Sequence, residues 1–355
     1  MNNDRIQEIL DLMEEARLDY FLISDPQSIA YCTGYYNDPH ERMFVFMISK
    51  HGNHTLVMND LFYLEHDLDV NIVWHKDGQD AIQTIVDEMH FPGRIGIDKN
   101  WASHFLLDLM KKLPDAKYIN ASPCVDLVRM KKDLQEQVLM IESSKINDAV
   151  MEEIIPFIQE GVTEKQLAKK LDELFFNHHS TCYGAIVAFG KNAADPHHEN
   201  DDTPLRKGDC VLIDMGCVYK GYCSDMTRTF FYEGILEEEI KVYEIVKKAN
   251  EAAEAMIKPG VKLSDIDKCA RKVISDEGYG KYFTHRLGHF IGRDVHEYGD
   301  VSSVNEMEVE EGMIFSIEPG IYLEGNFGVR VEDLVMVTKD GCQVLNSFTK
   351  DIYII

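Results

Sequence analysis

Residues 211–230 read VLIDMGCVYKGYCSDMTRTF, and the reading of the second half of the chain depends on this stretch. Two β-type apolar runs flank a short polar excursion. Gly216 and Gly221 inside that excursion suit a hairpin turn, which lays the two runs side by side as antiparallel strands. Asp214 stands where the apolar run CVLI stops. Asp225 follows after ten intervening residues, so both carboxylates can face the same way. An acid at the end of a buried strand is costly unless something compensates its charge, and a bound cation does that well.

The pattern recurs further on. Glu318 ends the apolar run MIFSI (313–317) before Pro319-Gly320, and Glu332 lies inside the strand-like stretch GVRVEDLVMV (328–337). His289 sits between Gly288 and a short apolar pair in HRLGHFIGRDVHE (285–297). The bland reading of any one acid is a solvated surface charge, and with 62 Asp and Glu in the chain an isolated carboxylate carries no information. Several acids in apolar, β-type contexts are a different matter. One imidazole and four carboxylates form a hard, oxygen-rich set able to hold two divalent cations, and two such cations sharing a water hydrolyse an amide bond at neutral pH. The set suits manganese, with cobalt, iron(II) or zinc as alternatives. No thiolate joins it, which disfavours structural zinc.

Asp-x10-Asp, then GHFIG with VHE, then EPG, then RVED, resembles the metallopeptidase family of the pita-bread fold, which contains methionine aminopeptidase, aminopeptidase P and prolidase. The resemblance spans essentially the whole chain. Within the family, SDPQSIAYCTGYYNDPHER (24–42) and YFTHRLGHFIG (282–292) are most similar to bacterial Xaa-Pro dipeptidases. It implies an α+β chain: an α/β creatinase-like N-terminal domain over 1–124, then a pita-bread domain over 125–355 with a curved antiparallel sheet covered by helices. It also implies that Asp214 binds one metal, that His289 and Glu318 bind the other, and that Asp225 and Glu332 bridge them. On this resemblance His296 would contact the scissile carbonyl and stabilise the oxyanion, and Glu318 would double as proton shuttle. His285 and His197 shape the substrate pocket, with His198 the competitor of His197 and Pro196 favouring the latter. The catalytic set is then His296, Glu318 and His285, while His197, His285, His296, Arg293 and Arg330 face the substrate.

Two arginines have alternatives of equal standing. Arg330 either orients the carboxylates or forms a surface ion pair. Arg293, where many relatives carry a small or apolar residue, either binds a substrate carboxylate or pairs with a surface acid. The DPHER loop (38–42) either closes over the partner's site in a homodimer or is a solvated tip. The implied reaction is hydrolysis of the X-Pro bond of dipeptides. Its alternative is aminopeptidase P-like trimming of longer Xaa-Pro peptides. A metal-free creatinase-like hydrolase and a non-catalytic binding module on the same fold are disfavoured, because all five ligand positions carry the expected side chain.

A formal charge of −26 excludes the basic footprint of a nucleic-acid binder and disfavours an anionic membrane surface. It also denies acidic substrates any general attraction, so a carboxylate-bearing substrate needs a local cation. No stretch approaches the roughly 20 apolar residues of a membrane helix. The N-terminal MNNDRIQEIL is acidic and helical in pattern, unlike a secretory signal. Eight scattered cysteines without a CxxC pair read as reduced thiols, and the expectation is a cytoplasmic protein. Residues 1–120 alternate helix and strand patterns without a nucleotide-binding glycine motif. From SPC (122–124) the pattern reads as one long helix through residue 155, which opens the second domain. Thr163 to Gln166 is a capping box for the next helix.

Overall fold

The structure, a computed structural model, describes residues 1–90 and 92–355. It divides into two compact units, Met1–Arg129 and Met130–Ile355. In the first, six strands form a mixed sheet in the order Asn71–His75, Thr55–Asn59, Val45–Ser49, Tyr20–Ile23, Arg94–Ile97, Lys117–Asn120. Side chains alternate across it, as the period of two requires. Phe21 and Ile23 join one core with Ile6, Ile9 and Met13 of the helix Asn3–Glu15; Tyr20 and Leu22 join another with Ile82, Ile85 and Leu109 from helices on the opposite face. This is the expected α/β domain. The two edge strands, Asn71–His75 and Lys117–Asn120, carry only the short apolar runs IVW and YI, and all but one of their residues are exposed or partly buried.

The expected single helix from residue 122 is two helices, Ser122–Met130 and Leu134–Ile154. The break is chemical. The Asp133 carboxylate accepts from the backbone N–H groups of Gln135 and Glu136, both at 2.9 Å, and the Glu136 carboxylate reaches back to the Asp133 N–H at 3.0 Å. This capping box starts a new helix and leaves Lys131 and Lys132 extended, with the Lys132 N–H donating to Gly312 O at 2.8 Å. The capping box at Thr163 and Gln166 forms as expected and opens the helix Glu164–Asn177.

The second unit repeats one plan twice. Two helices, Leu134–Ile154 and Glu164–Asn177, precede antiparallel strands Ile186–Phe189, Cys210–Met215 and Met226–Phe231. Then two helices, Glu237–Met256 and Leu263–Asp276, precede antiparallel strands Gly288–Phe290, Ile314–Ile317 and Asp333–Val337, extended at both edges by Glu297–Val301 and Cys342–Val344. In each half a hairpin interrupts the last two strands of the trio: Cys217–Tyr219 with Tyr222–Cys223, and Gly320–Leu323 with Phe327–Arg330. The first hairpin turns at Lys220 and Gly221, both at positive φ (49° and 83°), the demand of a tight two-residue turn. Val211, Ile213 and Met215 face the first helix pair, packing with Leu167, Leu171 and Phe175. Asp214, alternating with them, is turned to the other face.

Candidate metal centre

The interrupted strands deliver the acids. Asp214 lies opposite Thr227 in the register, one residue before the first strand ends, and Asp225 immediately precedes the returning strand. In the second half Glu318 immediately follows Ile314–Ile317, and Glu332 immediately precedes Asp333–Val337. Each hairpin excursion therefore carries one carboxylate at either end. The expectation of a hairpin with both aspartates on one side holds. Glu332 differs from its expected place inside a strand: it stands in the gap between two.

These four carboxylates and His289 line one cavity of about 370 Å³, within the size range of small-ligand pockets. His289 Nε2 is 3.6 Å from Asp225 Oδ2, 3.7 Å from Glu318 Oε1 and 4.0 Å from Glu332 Oε1. Ligating atoms of Asp225, His289 and Glu332 all fall within 4.8 Å of one another. The other imidazole nitrogen, Nδ1, lies 3.2 Å from the Phe290 carbonyl. A carbonyl only accepts, so Nδ1 carries the proton and Nε2 presents its lone pair to the acids. Burial, with His296 alongside, holds the His289 pKa down to about 3, which keeps that lone pair free near neutrality.

The carboxyls are pushed the opposite way. Burial raises Glu318 to about 7, with Asp214 adding to the effect, and raises Asp225 and Glu332 well above the usual carboxylate range. Like charges a few ångströms apart in a low dielectric lack sufficient counter-charge. Arg330 pairs with the cluster: it donates to Asp214 Oδ2 at 2.6 Å, to Thr227 Oγ1 at 3.0 Å and to Tyr322 Oη at 3.0 Å. Thr227 Oγ1 donates in turn to Glu332 Oε2 at 2.7 Å, and Ser316 Oγ donates to Glu318 Oε1 at 3.2 Å. The donor set, its crowding and its shortage of positive charge all fit divalent cations held by oxygen and one neutral imidazole.

The same cavity is lined by His197, His285 and His296. The His296 ring stands perpendicular to His289 at 4.3 Å between centroids. A register shift after His289 makes this approach, which strand or helix spacing does not supply. His285 has both nitrogens engaged. Nδ1 donates to Arg286 O at 2.7 Å, so Nε2 accepts from the Tyr322 hydroxyl at 2.8 Å. His197 lines the cavity while His198 turns away, its Nε2 2.6 Å from the fully buried Glu164 carboxylate. Glu164 also accepts from Phe189 N, Asn192 Nδ2 and Asp201 N, which ties down the loop that presents His197.

Arg293 is not brought into this lining; its guanidinium lies over the Tyr222 ring at 5.4 Å, beside Gly221 of the hairpin. Sequence reasoning passed over Tyr183, Arg286, Thr227, Ser316 and Tyr322. Of these, Tyr183 and Arg286 line the cavity, and the hydroxyls of Thr227, Ser316 and Tyr322 bond to groups that do. Hydroxyl side chains are too common along the chain to signal a role. Arg286, inside the quoted HRLGH, was the one legible omission.

Known proteins carry the same architecture. The model of metallopeptidase family M24 matches residues 138–339, and that of the creatinase/prolidase N-terminal domain matches residues 5–131. An uncharacterized peptidase of Staphylococcus aureus (strain bovine RF122 / ET3-1) is 34% identical over 355 residues, covering 98% of this chain and 99% of that one. Among solved structures, a dipeptidase from Pyrococcus horikoshii OT3 superposes with a TM-score of 0.93 at 35% identity, over 99% of this chain and 100% of that one. A recombinant prolidase from Thermococcus sibiricus superposes with a TM-score of 0.95 at 32% identity, over 100% and 99% respectively. Two domains in the expected order, the antiparallel sheets and the acid-lined cavity agree with these likenesses, and the chain belongs to metallopeptidase family M24.

Proposed function

We propose that this chain is an Xaa-Pro dipeptidase, hydrolysing the bond before proline in dipeptides with the help of two divalent cations. The observation that carries the reading is the convergence of four carboxylates and one neutral imidazole in a single cavity. Similarity to a dipeptidase and a prolidase over nearly the full length supports the substrate class. In this reading Asp214, Asp225, His289, Glu318 and Glu332 would hold the two ions. Bound there, the ions supply Lewis acidity and lower the pKa of water at the site.

The chain's own groups do the rest. Glu318, a carboxyl that burial raises to about 7, is suited to take a proton from the attacking water and pass it to the departing nitrogen. The nitrogen of an X-Pro bond bears no hydrogen, so the bond breaks only as that nitrogen is protonated. His296, with its pKa lowered mainly by burial, stays neutral and offers an N–H to the carbonyl oxygen as negative charge develops there. Arg330 fixes the orientation of Asp214, while His285 and His197 form walls of the substrate pocket. Manganese is the metal favoured by so oxygen-rich a set. A cytoplasmic homodimer completes the proposal; among the described residues no helix is long and apolar enough to cross a membrane.

The test is steady-state hydrolysis by metal-stripped protein reconstituted with Mn2+, comparing Xaa-Pro with Xaa-Pro-Xaa peptides. The expected result is metal-dependent cleavage favouring the dipeptide. Preference for the longer peptide overturns the dipeptidase reading in favour of an aminopeptidase, and no metal binding after reconstitution overturns both.

A further inference from the structure

We infer that Arg286 recognises the free carboxylate of the substrate's C-terminal residue and so confines the enzyme to dipeptides; this rests on the dipeptidase reading above. In an Xaa-Pro dipeptide that carboxylate sits on the carbon attached to the departing nitrogen. A cation that reads it must therefore share the cavity with the reacting groups. Among the described residues, the arginines on the cavity lining are Arg286 and Arg330. The guanidinium of Arg330 is committed to Asp214, Thr227 and Tyr322. Among the described residues, none accepts a hydrogen bond or forms an ion pair with the guanidinium of Arg286, which belongs to an exposed residue. Acidic residues outnumber basic ones 62 to 36, and Arg286 lines the cavity of the four acids without a hydrogen bond to any of them.

The backbone around Arg286 is fixed. Arg271 donates to Phe283 O and His285 O, both at 3.0 Å, Leu287 N donates to Val301 O at 2.9 Å, and His285 Nδ1 donates to Arg286 O at 2.7 Å. Such a mount fixes the backbone from which the planar guanidinium fork, matched to a carboxylate, reaches the cavity lining. A peptide extended beyond proline has an uncharged amide where the dipeptide has its charge, and the fork then goes unmatched.

The experiment uses the Mn2+-loaded full-length enzyme with Ala-Pro, Ala-Pro-amide and Ala-Pro-Gly, comparing wild type with Arg286→Gln, Arg286→Lys and Arg293→Ser. In Arg286→Gln the ratio of kcat/KM for Ala-Pro over Ala-Pro-amide is expected to fall about 10- to 100-fold, the worth of a hydrogen bond to a charged group, through KM more than kcat. Arg286→Lys, which keeps the charge but loses the fork, falls between. Calorimetry with L-proline against L-prolinamide reads the same preference without turnover. A ratio unchanged in Arg286→Gln, or lost in Arg293→Ser instead, overturns the inference and leaves the dipeptidase reading standing. A wild type that cleaves no Xaa-Pro substrate overturns that reading, and the inference with it.

Discussion

Glu332→Gln should stabilise the metal-stripped protein while weakening its hold on metal. Glu332 is buried, and its ligating oxygen lies within 4.8 Å of one on Asp225. Two unit charges at that separation repel by about 3.5 kcal/mol at an effective dielectric of about 20. Partial protonation of the cluster relieves some of this, leaving about 1–3 kcal/mol to be recovered at pH 8 when one charge is removed. The glutamine oxygen still accepts from Thr227 Oγ1, so no hydroxyl is orphaned. The pH dependence has a definite sign. Glu332, Asp225 and Glu318 all have pKa values raised by folding, so the folded state binds more protons than the unfolded chain. Their contribution to stability is present below the unfolded carboxylate range and is lost as pH rises through about 7 and beyond. The gain in the variant should therefore grow from pH 5 to pH 8. Urea unfolding of EDTA-treated wild type and variant across that range gives the difference directly. Adding Mn2+ at 100 times its Kd should then stabilise wild type by about 2.7 kcal/mol and the variant by less. A metal-stripped variant less stable than wild type at pH 8, or a difference that does not change with pH, refutes the view of the cluster as mutually repelling acids.

His296→Ala should lower kcat about 10²- to 10³-fold while metal content by mass spectrometry stays near wild type, since its place is beside His289 and it is proposed as a donor, not a ligand. Gly288→Ala should weaken Mn2+ binding and destabilise the fold by about 1–3 kcal/mol in urea titrations, because its Cβ meets the Ser316 carbonyl oxygen at 1.9 Å and the strand carrying His289 must move. Arg228→Met leaves Asp333 buried without its guanidinium partner, and chemical denaturation should show a loss of about 3–5 kcal/mol.

The hairpin from Asp214 to Asp225 could be read because its signals are local: two apolar runs and glycines at the turn. The ligand candidates were visible as acids in apolar settings, a contradiction that only chemistry resolves. The helix break at residues 131–133 was also local, in the D-x-x-E of DLQE, but the apolar periodicity on either side concealed it. Other features depend on partners distant in the chain. His197 and His198 differ because Glu164, 34 residues from His198, captures one of them. Arg293 and Arg286 both flank His289, and only the register shift and the pinned backbone after residue 283 decide which of them lines the cavity. The repeated plan of the second unit, an internal duplication that the family resemblance implies, could not be seen in the residues themselves, because its halves share topology and the placing of their acids while their sequences show no evident likeness.

That repetition also explains how a protein tolerates such a cluster. Each acid stands at the end of a strand, where the chain leaves the sheet for a hairpin, and the sheet behind it is anchored by ordinary packing. The return strand bearing Glu332 has a further restraint. Arg228, fully buried one residue beyond Thr227, donates to Thr227 O at 3.0 Å, Glu332 O at 2.7 Å, Phe348 O at 2.8 Å and Thr349 O at 3.1 Å, and pairs with Asp333 at 2.7 Å. Lys350 approaches the same Asp333 at 3.0 Å and also pairs with Glu254. Behind a face crowded with negative charge there is thus a second, compensated network that grips the backbone of Thr227 and Glu332 and fastens it to the C-terminal segment. Repulsion among the acids pushes against main chain that cannot yield cheaply, so the carboxylates stay close together. Residues 348–350, remote from the cavity in sequence and silent in any motif, are part of what holds the acid cluster in place.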